Sequence, residues 1–160
     1  MTESSINSQV QKQLQSILSQ ASPDPASEQA QLNNALRLLS KWRSVLIQNT
    51  LLKQQGTVVM QGPLAGMDFL PQSAEGCHVA KLLGCYEQPL QPFIEEAIQE
   101  AYPIILNIGC AEGYYAVGLA RSFPGLSVYA HDIEERARLA CAELARRNGV
   151  ADRVIIGGEF

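Results

Sequence analysis

The sequence predicts an α/β protein in which a parallel sheet is built in the order β-α-β-α-β within the C-terminal half. Residues 104–108 (IILNI) form a short, almost continuous apolar run, as a parallel strand covered on both faces requires. From Pro103 onward such runs alternate with segments of helical periodicity, which is typical of a parallel α/β sheet. A glycine-containing turn, Gly109–Gly113, follows the first run directly. These three features together predict the fold class.

The elements of this half follow one another closely. Helix-breaking residues separate them, because Phe123-Pro124-Gly125 ends the first predicted helix and Asn148-Gly149 ends the second. The predicted strands are Ile104–Ile108, Ser127–Ala130 and Asp152–Gly157, and the predicted helices are Tyr114–Ser122 and Ile133–Arg147. This is the order of the first half of a Rossmann-like fold. The partial domain is predicted to span residues 85–160.

Residues 1–56 are predicted to form a separate helical region. A short amphipathic helix is expected from the helical spacing of Ile6, Val10, Leu14 and Ile17. The run Ala21–Ala26 contains two prolines and interrupts the helix. Ser27 is a candidate N-cap for a second helix that continues to Gly56. The apolar positions of this second helix are Leu32, Leu36, Leu39, Trp42, Leu46 and Leu51.

Residues 57–84 are predicted to form a β-hairpin and a connecting segment. Thr57–Met60 and Met67–Leu70 have strand-like composition, and the turn between them contains glycines and a proline. The stretch from Pro71 to Gly84 is expected to be loop with a short helical piece. Pro92–Glu100 is expected to be a helix that leads into the first parallel strand.

Composition narrows the class of protein and its partners. The chain has 160 residues, 46% of them hydrophobic, and a formal net charge of -4. This acidic balance argues against nucleic acid or an anionic membrane as the main partner, and no apolar run is long enough for a transmembrane helix. The polar N-terminus lacks the pattern of a secretory signal, so a cytoplasmic protein is expected. The spacing of the four cysteines matches no zinc site, so we expect no metal site. We expect their thiols to be reduced and mostly buried, and the residues are Cys77, Cys85, Cys110 and Cys141.

The turn Asn107–Gly113 carries the residues that indicate a ligand. The backbone must bend sharply between strand and helix while a ligand approaches it, and glycine permits both because it has no Cβ and accepts positive φ. Unpaired amides at the start of the next helix can face a phosphate or a carboxylate. Asp132, at the end of the second predicted strand, can accept hydrogen bonds from both hydroxyls of a ribose. A nucleotide-containing ligand is therefore predicted.

Other interpretations of these residues stay open in the sequence. Glycines at a strand-to-helix turn also occur in α/β proteins without ligands, and Asp132 with Glu135 fits a helix capping box. Gly118 is expected to allow its helix to pack closely on the sheet. Tyr114 and Tyr115 either cover a ligand or pack, and packing is favoured for Tyr115. The spacing Gly-x-Ala-x-Gly lacks the third glycine of a dinucleotide fingerprint, which disfavours a pyrophosphate cofactor.

Residues 106–120 (LNIGCAEGYYAVGLA), with Asp132 and the Asn148-Gly149 stop, resemble a class I S-adenosylmethionine-dependent methyltransferase. The tyrosine pair that follows the glycine turn, together with Tyr86-Glu87 and a helix before the first strand, is similar to the FkbM-type branch of that family. The resemblance covers the chain from Lys81 onward. It does not include the N-terminal helices or the predicted hairpin.

The resemblance implies S-adenosylmethionine as cofactor, with Gly109–Gly113 around the methionine part, Asp132 on the ribose hydroxyls and Ile133 on the adenine. Glu87 is implied as a further contact. The implied cofactor-binding residues are Asn107, Gly109, Cys110, Ala111, Glu112, Gly113, Asp132 and Ile133. Two of them depart from the family pattern, because an acid is usual at Asn107 and glycine is common at Ala111. Loss of that acid is expected to weaken binding of the methionine ammonium group.

The implied activity is methyl transfer to a hydroxyl of a small molecule or sugar, and no catalytic residue is assigned. An NAD(P)-binding oxidoreductase and a non-catalytic scaffold module are the alternatives. The sheet of the family has more strands than the three predicted here, so we expect this chain to be part of a longer protein and inactive alone. The N-terminal helices are candidates for self-association into a homo-oligomer.

Overall fold

The computed structural model describes residues 3–21, 24–73 and 76–159. The chain divides into two units, Met1–Lys53 and Gln54–Phe160. Four residues of the predicted loops lie outside the described ranges, namely Ser22, Pro23, Ala74 and Glu75. No helix in the described ranges combines the length and the apolar character that crossing a bilayer requires.

The first unit consists of two helices, α1 (Glu3–Leu18) and α2 (Pro25–Gln55). Asp24 caps α2, because its Oδ1 accepts hydrogen bonds from the backbone N–H groups of Ala26 and Ser27, each at 3.0 Å. The prediction of Ser27 as N-cap is therefore wrong. Pro25 fits the first helical position, where no N–H is required, and the residue before it becomes the cap.

The second unit contains a three-stranded parallel sheet in the order β1-β2-β3, with a helix between successive strands. Leu106, Tyr129 and Ile155 lie side by side across the three strands. The elements are α3 (His78–Leu83), α4 (Gln91–Gln99), β1 (Ile104–Ile108), α5 (Tyr114–Ser122), β2 (Ser127–His131), α6 (Glu135–Arg147) and β3 (Val154–Gly157). The predicted α/β fold class, with a Rossmann-like parallel sheet after an N-terminal helical region, is confirmed.

The two faces of the sheet differ in burial. Val128 and Ala130 of β2 and Val154 of β3 are buried on the face that α5 and α6 contact. Right-handed crossovers place both helices on this one face. On the other face, the β1 residues Ile104, Leu106 and Ile108 are 59%, 55% and 64% exposed. Within the described chain β1 is therefore an edge strand with one open face, and the prediction that both faces are covered is wrong.

Residues 57–70 form a hairpin with a single antiparallel bridge, Val58 to Asp68, in place of two predicted strands. Side chains anchor it to the end of α6. Arg147 donates to Asp68 Oδ1 at 2.7 Å, and the Asn148 side chain exchanges hydrogen bonds with the Asp68 backbone. These side-chain contacts stabilise the hairpin, as further ladder hydrogen bonds would stabilise a longer one.

Gly118 allows α5 to pack against this hairpin. A Cβ at Gly118 would lie 2.6 Å from the side chain of Leu64, in the turn of the hairpin. Leu64 itself is buried. Gly118 thus makes room for the hairpin and not for the sheet, which corrects the expected packing partner.

Candidate ligand-binding site

The turn after β1 holds three residues in the left-handed backbone region, namely Gly109 (φ +71°), Ala111 (φ +47°) and Gly113 (φ +88°). The carbonyl of His131, at the end of β2, accepts hydrogen bonds from the N–H groups of Gly109 (2.8 Å) and Cys110 (2.9 Å). A left-handed φ costs energy for a residue with a Cβ, so Ala111 is strained. The hydrogen bonds to β2 keep the turn in this bent conformation.

The two glycines of the turn have different purposes. A Cβ at Gly109 would meet no atom within 4 Å, so the space in front of this residue is open. A Cβ at Gly113 would lie 2.6 Å from the Sγ of Cys141 on α6. Gly109 therefore leaves room for a ligand, whereas Gly113 lets the start of α5 pack against α6.

Asp132 joins the end of β2 to the turn. Its Oδ2 accepts a hydrogen bond from the Ala111 N–H at 2.8 Å, and its Oδ1 accepts one from the Glu134 N–H at 2.9 Å. Because α6 begins at Glu135 with Glu134 at the N-cap position, the capping box of Asp132 with Glu135 does not form. Each oxygen of the carboxylate can accept one more hydrogen bond, and Asp132 is partly exposed.

Two cavities flank Gly109, which lines both. The polar cavity has a volume of about 230 Å³ and is lined by Lys81, Tyr86, Glu87, Asn107, Gly109, Cys110, Ala111, Tyr114 and Tyr115. The strand-end cavity has a volume of about 240 Å³ and is lined by Ile108, Gly109, His131, Asp132, Ile133 and Gly158. An elongated ligand that crosses Gly109 can occupy both cavities.

The polar cavity offers two side-chain acceptors. Asn107 Oδ1 is shielded from solvent and has no hydrogen-bond partner in the part of the chain that the structure describes. Glu87 has a left-handed φ of +45°, and its Oε2 accepts a hydrogen bond from the Tyr115 hydroxyl at 2.8 Å. Burial, reinforced by this hydrogen bond, raises the pKa of Tyr115. Tyr115 therefore keeps its proton and holds the Glu87 carboxylate at the cavity.

Glu112 is fully buried in the turn and lines neither cavity. Its Oε1 accepts hydrogen bonds from Lys81 Nζ and Ser73 Oγ, each at 2.6 Å. Burial opposes ionisation of the carboxyl, but the hydrogen bonds and the Lys81 charge outweigh it and hold the pKa of Glu112 below its usual range. Lys81 also lies 4.7 Å from the centre of the Tyr86 ring. The ion pair thus attaches α3 to the ligand turn.

The predicted cofactor-binding residues fall into four groups. Asn107, Cys110 and Ala111 line the polar cavity, Asp132 and Ile133 line the strand-end cavity, and Gly109 lines both. Glu112 and Gly113 line neither, and they hold the turn in place instead. Sequence reasoning missed Lys81, His131 and Gly158. His131 precedes Asp132 at a strand end and could have been found by position, whereas nothing in the sequence ties Lys81 to a turn so far along the chain.

In the part of the chain that the structure describes, the cysteines and other metal-ligating side chains do not gather into a site. Within residues 3–21, 24–73 and 76–159, no three His, Cys, Asp or Glu side chains are grouped so that they could hold a metal ion. The four thiols are free, with Cys110 and Cys141 buried, Cys85 half-buried and Cys77 exposed. Cys77 thus differs from the expectation of mostly buried thiols.

Comparison with known proteins finds similarity at the level of three-dimensional structure. No family model and no curated protein matches the chain. An O-methyltransferase family protein from Burkholderia thailandensis aligns at 14% identity and a TM-score of 0.38, over 54% of this chain and 27% of that one. The human methyltransferase 10 domain containing protein aligns at 13% identity and a TM-score of 0.43, over 73% of this chain and 52% of that one. This chain spans about a quarter and about half of their lengths, and neither similarity assigns it an activity.

Proposed function

We propose that this chain binds S-adenosylmethionine across Gly109 and belongs to a methyltransferase that acts on a hydroxyl of a small molecule or sugar. The main support is the pair of cavities on either side of Gly109. They differ in chemistry, since one offers acceptors for an amino-acid group and the other offers a carboxylate and apolar side chains. S-adenosylmethionine has the same two ends, an amino acid and a nucleoside.

The polar cavity suits the methionine part of the cofactor. The ammonium group needs acceptors, which are the Glu87 carboxylate and Asn107 Oδ1. The carboxylate needs donors, and the first turn of a helix presents amide N–H groups without intrahelical partners. Tyr114, which begins α5, lines this cavity. Glu87 carries the negative charge that Asn107 lacks, so the departure at position 107 is compensated within the same cavity.

The strand-end cavity suits the nucleoside. The carboxylate of Asp132 accepts from ribose hydroxyls with the lone pairs that its two backbone contacts leave over. Ile133 follows it with a side chain that is 78% exposed, an apolar surface on which an adenine ring can lie. Removing such a surface from water on binding contributes favourably to affinity.

The bound cofactor supplies a methyl group that is already activated by the positive sulfur. Transfer of that methyl group to an acceptor hydroxyl would break the carbon–sulfur bond, form a carbon–oxygen bond and release the hydroxyl proton to water. The residues of this chain then have to bind and orient the two reactants, because alignment supplies a large share of the rate. Gly109 serves alignment by letting the cofactor lie directly on the turn.

The alternative of a dinucleotide cofactor has less support. The third glycine of its fingerprint would fall at Tyr114. The Tyr114 ring is buried and stands edge-on to Phe69 and Tyr86, at centroid distances of 5.5 Å and 5.7 Å. A pyrophosphate cannot approach the backbone there as closely as it approaches a glycine.

Calorimetric titration with S-adenosylmethionine tests the proposal. We expect the wild-type chain to bind and Asp132→Asn to bind at least about tenfold more weakly, because the ribose hydroxyls lose a charged acceptor. Asp152→Asn changes an exposed carboxylate outside both cavities and is the matched control. A wild-type chain that is folded by circular dichroism and does not bind would contradict the proposal, and enhanced NADH fluorescence would favour the dinucleotide alternative.

A further inference from the structure

The first unit has little core of its own. Among its described residues only Ala35, on α2, is buried. One side of α2 faces α1, where Trp42 and Val45 line a cavity with Val10, and the Trp42 indole N–H donates to Asn7 Oδ1 at 2.8 Å. Most stability of a helix in water comes from packing an apolar face, and two helices alone bury little apolar surface. A further packing partner for α2 is therefore expected.

A second line of apolar side chains runs along α2 beside the one that faces α1, and we name it the outer stripe. Its members recur at i, i+4, i+7 and i+15, a spacing that places them on one helix face. They are Leu32 (63% exposed), Leu36 (63%), Leu39 (37%) and Ile47 (39%). Leu39 lies at the border of the two lines, because it also lines a cavity with Val10 and Leu14 of α1. The helix face turned away from both lines is polar and contains Asn33, Asn34, Arg37 and Ser44. The outer stripe is thus a defined apolar surface and not a general excess of leucine.

We infer that the outer stripe is the contact surface of a homodimer in which two copies of α2 pack antiparallel. The occupant is a second copy of this chain, because the charges at the two ends of α2 are opposite, with Glu28 in its first turn and Lys53 in its last turn. In an antiparallel pair the twofold axis passes between Leu39 and Arg43. Leu36 then lies at the level of Leu46 of the second copy, so apolar residues meet on both sides of the axis. Such a contact uses the same patch on both subunits and closes at two copies.

Charge selects the antiparallel orientation. Arg43 lies within the outer stripe, and in a parallel pair it would face Arg43 of the second copy. In the antiparallel pair Arg43 lies beside Leu39, and its aliphatic stem can cover that leucine while its charge stays in water. Glu28, in the first turn of α2, comes to the level of Lys53, in the last turn of the second copy. The twofold axis generates this opposite-charge pair twice.

Sedimentation equilibrium of the full chain, from micromolar to submillimolar concentration, tests the dimer. We expect a species of twice the 17.4 kDa chain mass. Leu36→Glu places a charge in the contact and should raise the dissociation constant at least about tenfold. Asn33→Glu adds the same charge to the polar face of the same helix and should leave the dimer intact. A wild-type chain that is monomeric at every concentration, or equal effects of the two variants, would overturn the inference.

A charge exchange tests the orientation independently of folding defects. Glu28→Lys and Lys53→Glu should each weaken the dimer, because each homodimer then contains two like-charge pairs. An equimolar mixture of the two variants should dimerise again, since the mixed dimer contains two opposite-charge pairs. A change that only damaged the helix could not be repaired by mixing. If the mixture stays monomeric while the wild type dimerises, the antiparallel arrangement is wrong.

Discussion

At the scale of single residues, Asn107 and Glu87 of the candidate site together provide what one acid at the end of β1 would provide. An acid at the end of β1 would both carry charge and line the cavity, but Asn107 only lines it. Glu87 supplies the charge from the segment before α4, where the Tyr115 hydroxyl holds it at 2.8 Å. The resemblance to the methyltransferase family indicated the absent acid at position 107 and implied Glu87 as a contact. It could not show that the two side chains line the same cavity.

Because Glu87 supplies the negative charge, we expect Glu87→Gln to weaken binding only of ligands that have an amino-acid part. We expect the variant to bind S-adenosylmethionine about tenfold more weakly, because the ammonium group loses its counter-charge. Binding of 5′-methylthioadenosine, which has the nucleoside but no amino-acid part, should be unchanged. Calorimetric titration of both compounds measures the two effects. Equal losses for the two compounds would show that Glu87 acts on the fold of the site and not on the methionine end.

At the scale of elements, the local pattern predicted where helices and strands lie, and packing decided their ends. β1 and α5 have the predicted bounds, because an apolar run and a glycine turn define them locally. α6 begins two residues after the predicted start, since Asp132 accepts from the Glu134 N–H and keeps that segment out of the helix. The hairpin has one bridge, between Val58 and Asp68, and Asp68 also binds Arg147 and Asn148 at the end of α6, a partner that no local pattern reveals.

The attachment of α3 to the ligand turn predicts a pH-dependent loss of stability in Lys81→Met. Removing one partner of a buried ion pair costs about 3–5 kcal/mol, because Glu112 is left as an unpaired buried charge. Without the Lys81 charge and hydrogen bond, burial is opposed only by the Ser73 and backbone hydrogen bonds, so the pKa of Glu112 rises above its wild-type value. The loss should be full at neutral pH and shrink as the pH falls through that raised pKa, where the carboxyl takes up a proton.

The wild-type chain should behave in the opposite way. The pKa of Glu112 is lowered in the folded state, so its ionisation stabilises the fold above its ordinary pKa, and this contribution is lost as the pH falls through the lowered value. Urea unfolding followed by the tyrosine signal measures both chains. The double variant Lys81→Met/Glu112→Leu is the control and should recover most of the stability. A Lys81→Met defect that is independent of pH would exclude Glu112 as its cause.

At the scale of the whole molecule, the two units carry separate spectroscopic reporters. The single tryptophan, Trp42, lies in the first unit. The five tyrosines all lie in the second unit and are Tyr86, Tyr102, Tyr114, Tyr115 and Tyr129. Thermal unfolding can therefore be followed for each unit in the same sample.

Ligand binding should stabilise only the second unit. S-adenosylmethionine at about one hundred times its dissociation constant stabilises the state that binds it by about 2.7 kcal/mol. We expect the midpoint of the tyrosine near-ultraviolet circular dichroism to rise and that of tryptophan fluorescence to stay constant. A rise of the tryptophan midpoint alone would place the ligand in the first unit and contradict the proposed site.

The amino-acid sequence alone was enough to predict the order of strands and helices, the glycine turn after β1 and the acid at the end of β2. These features depend on periodicity and on backbone preferences over a few neighbouring residues, which a sequence displays directly. Three-dimensional packing placed Cys141 against Gly113, left open space at Gly109, paired Lys81 with Glu112 and brought Glu87 and Asn107 to the same cavity. These arrangements depend on residues far apart in the chain, which come together only when the helices, the hairpin and the sheet pack.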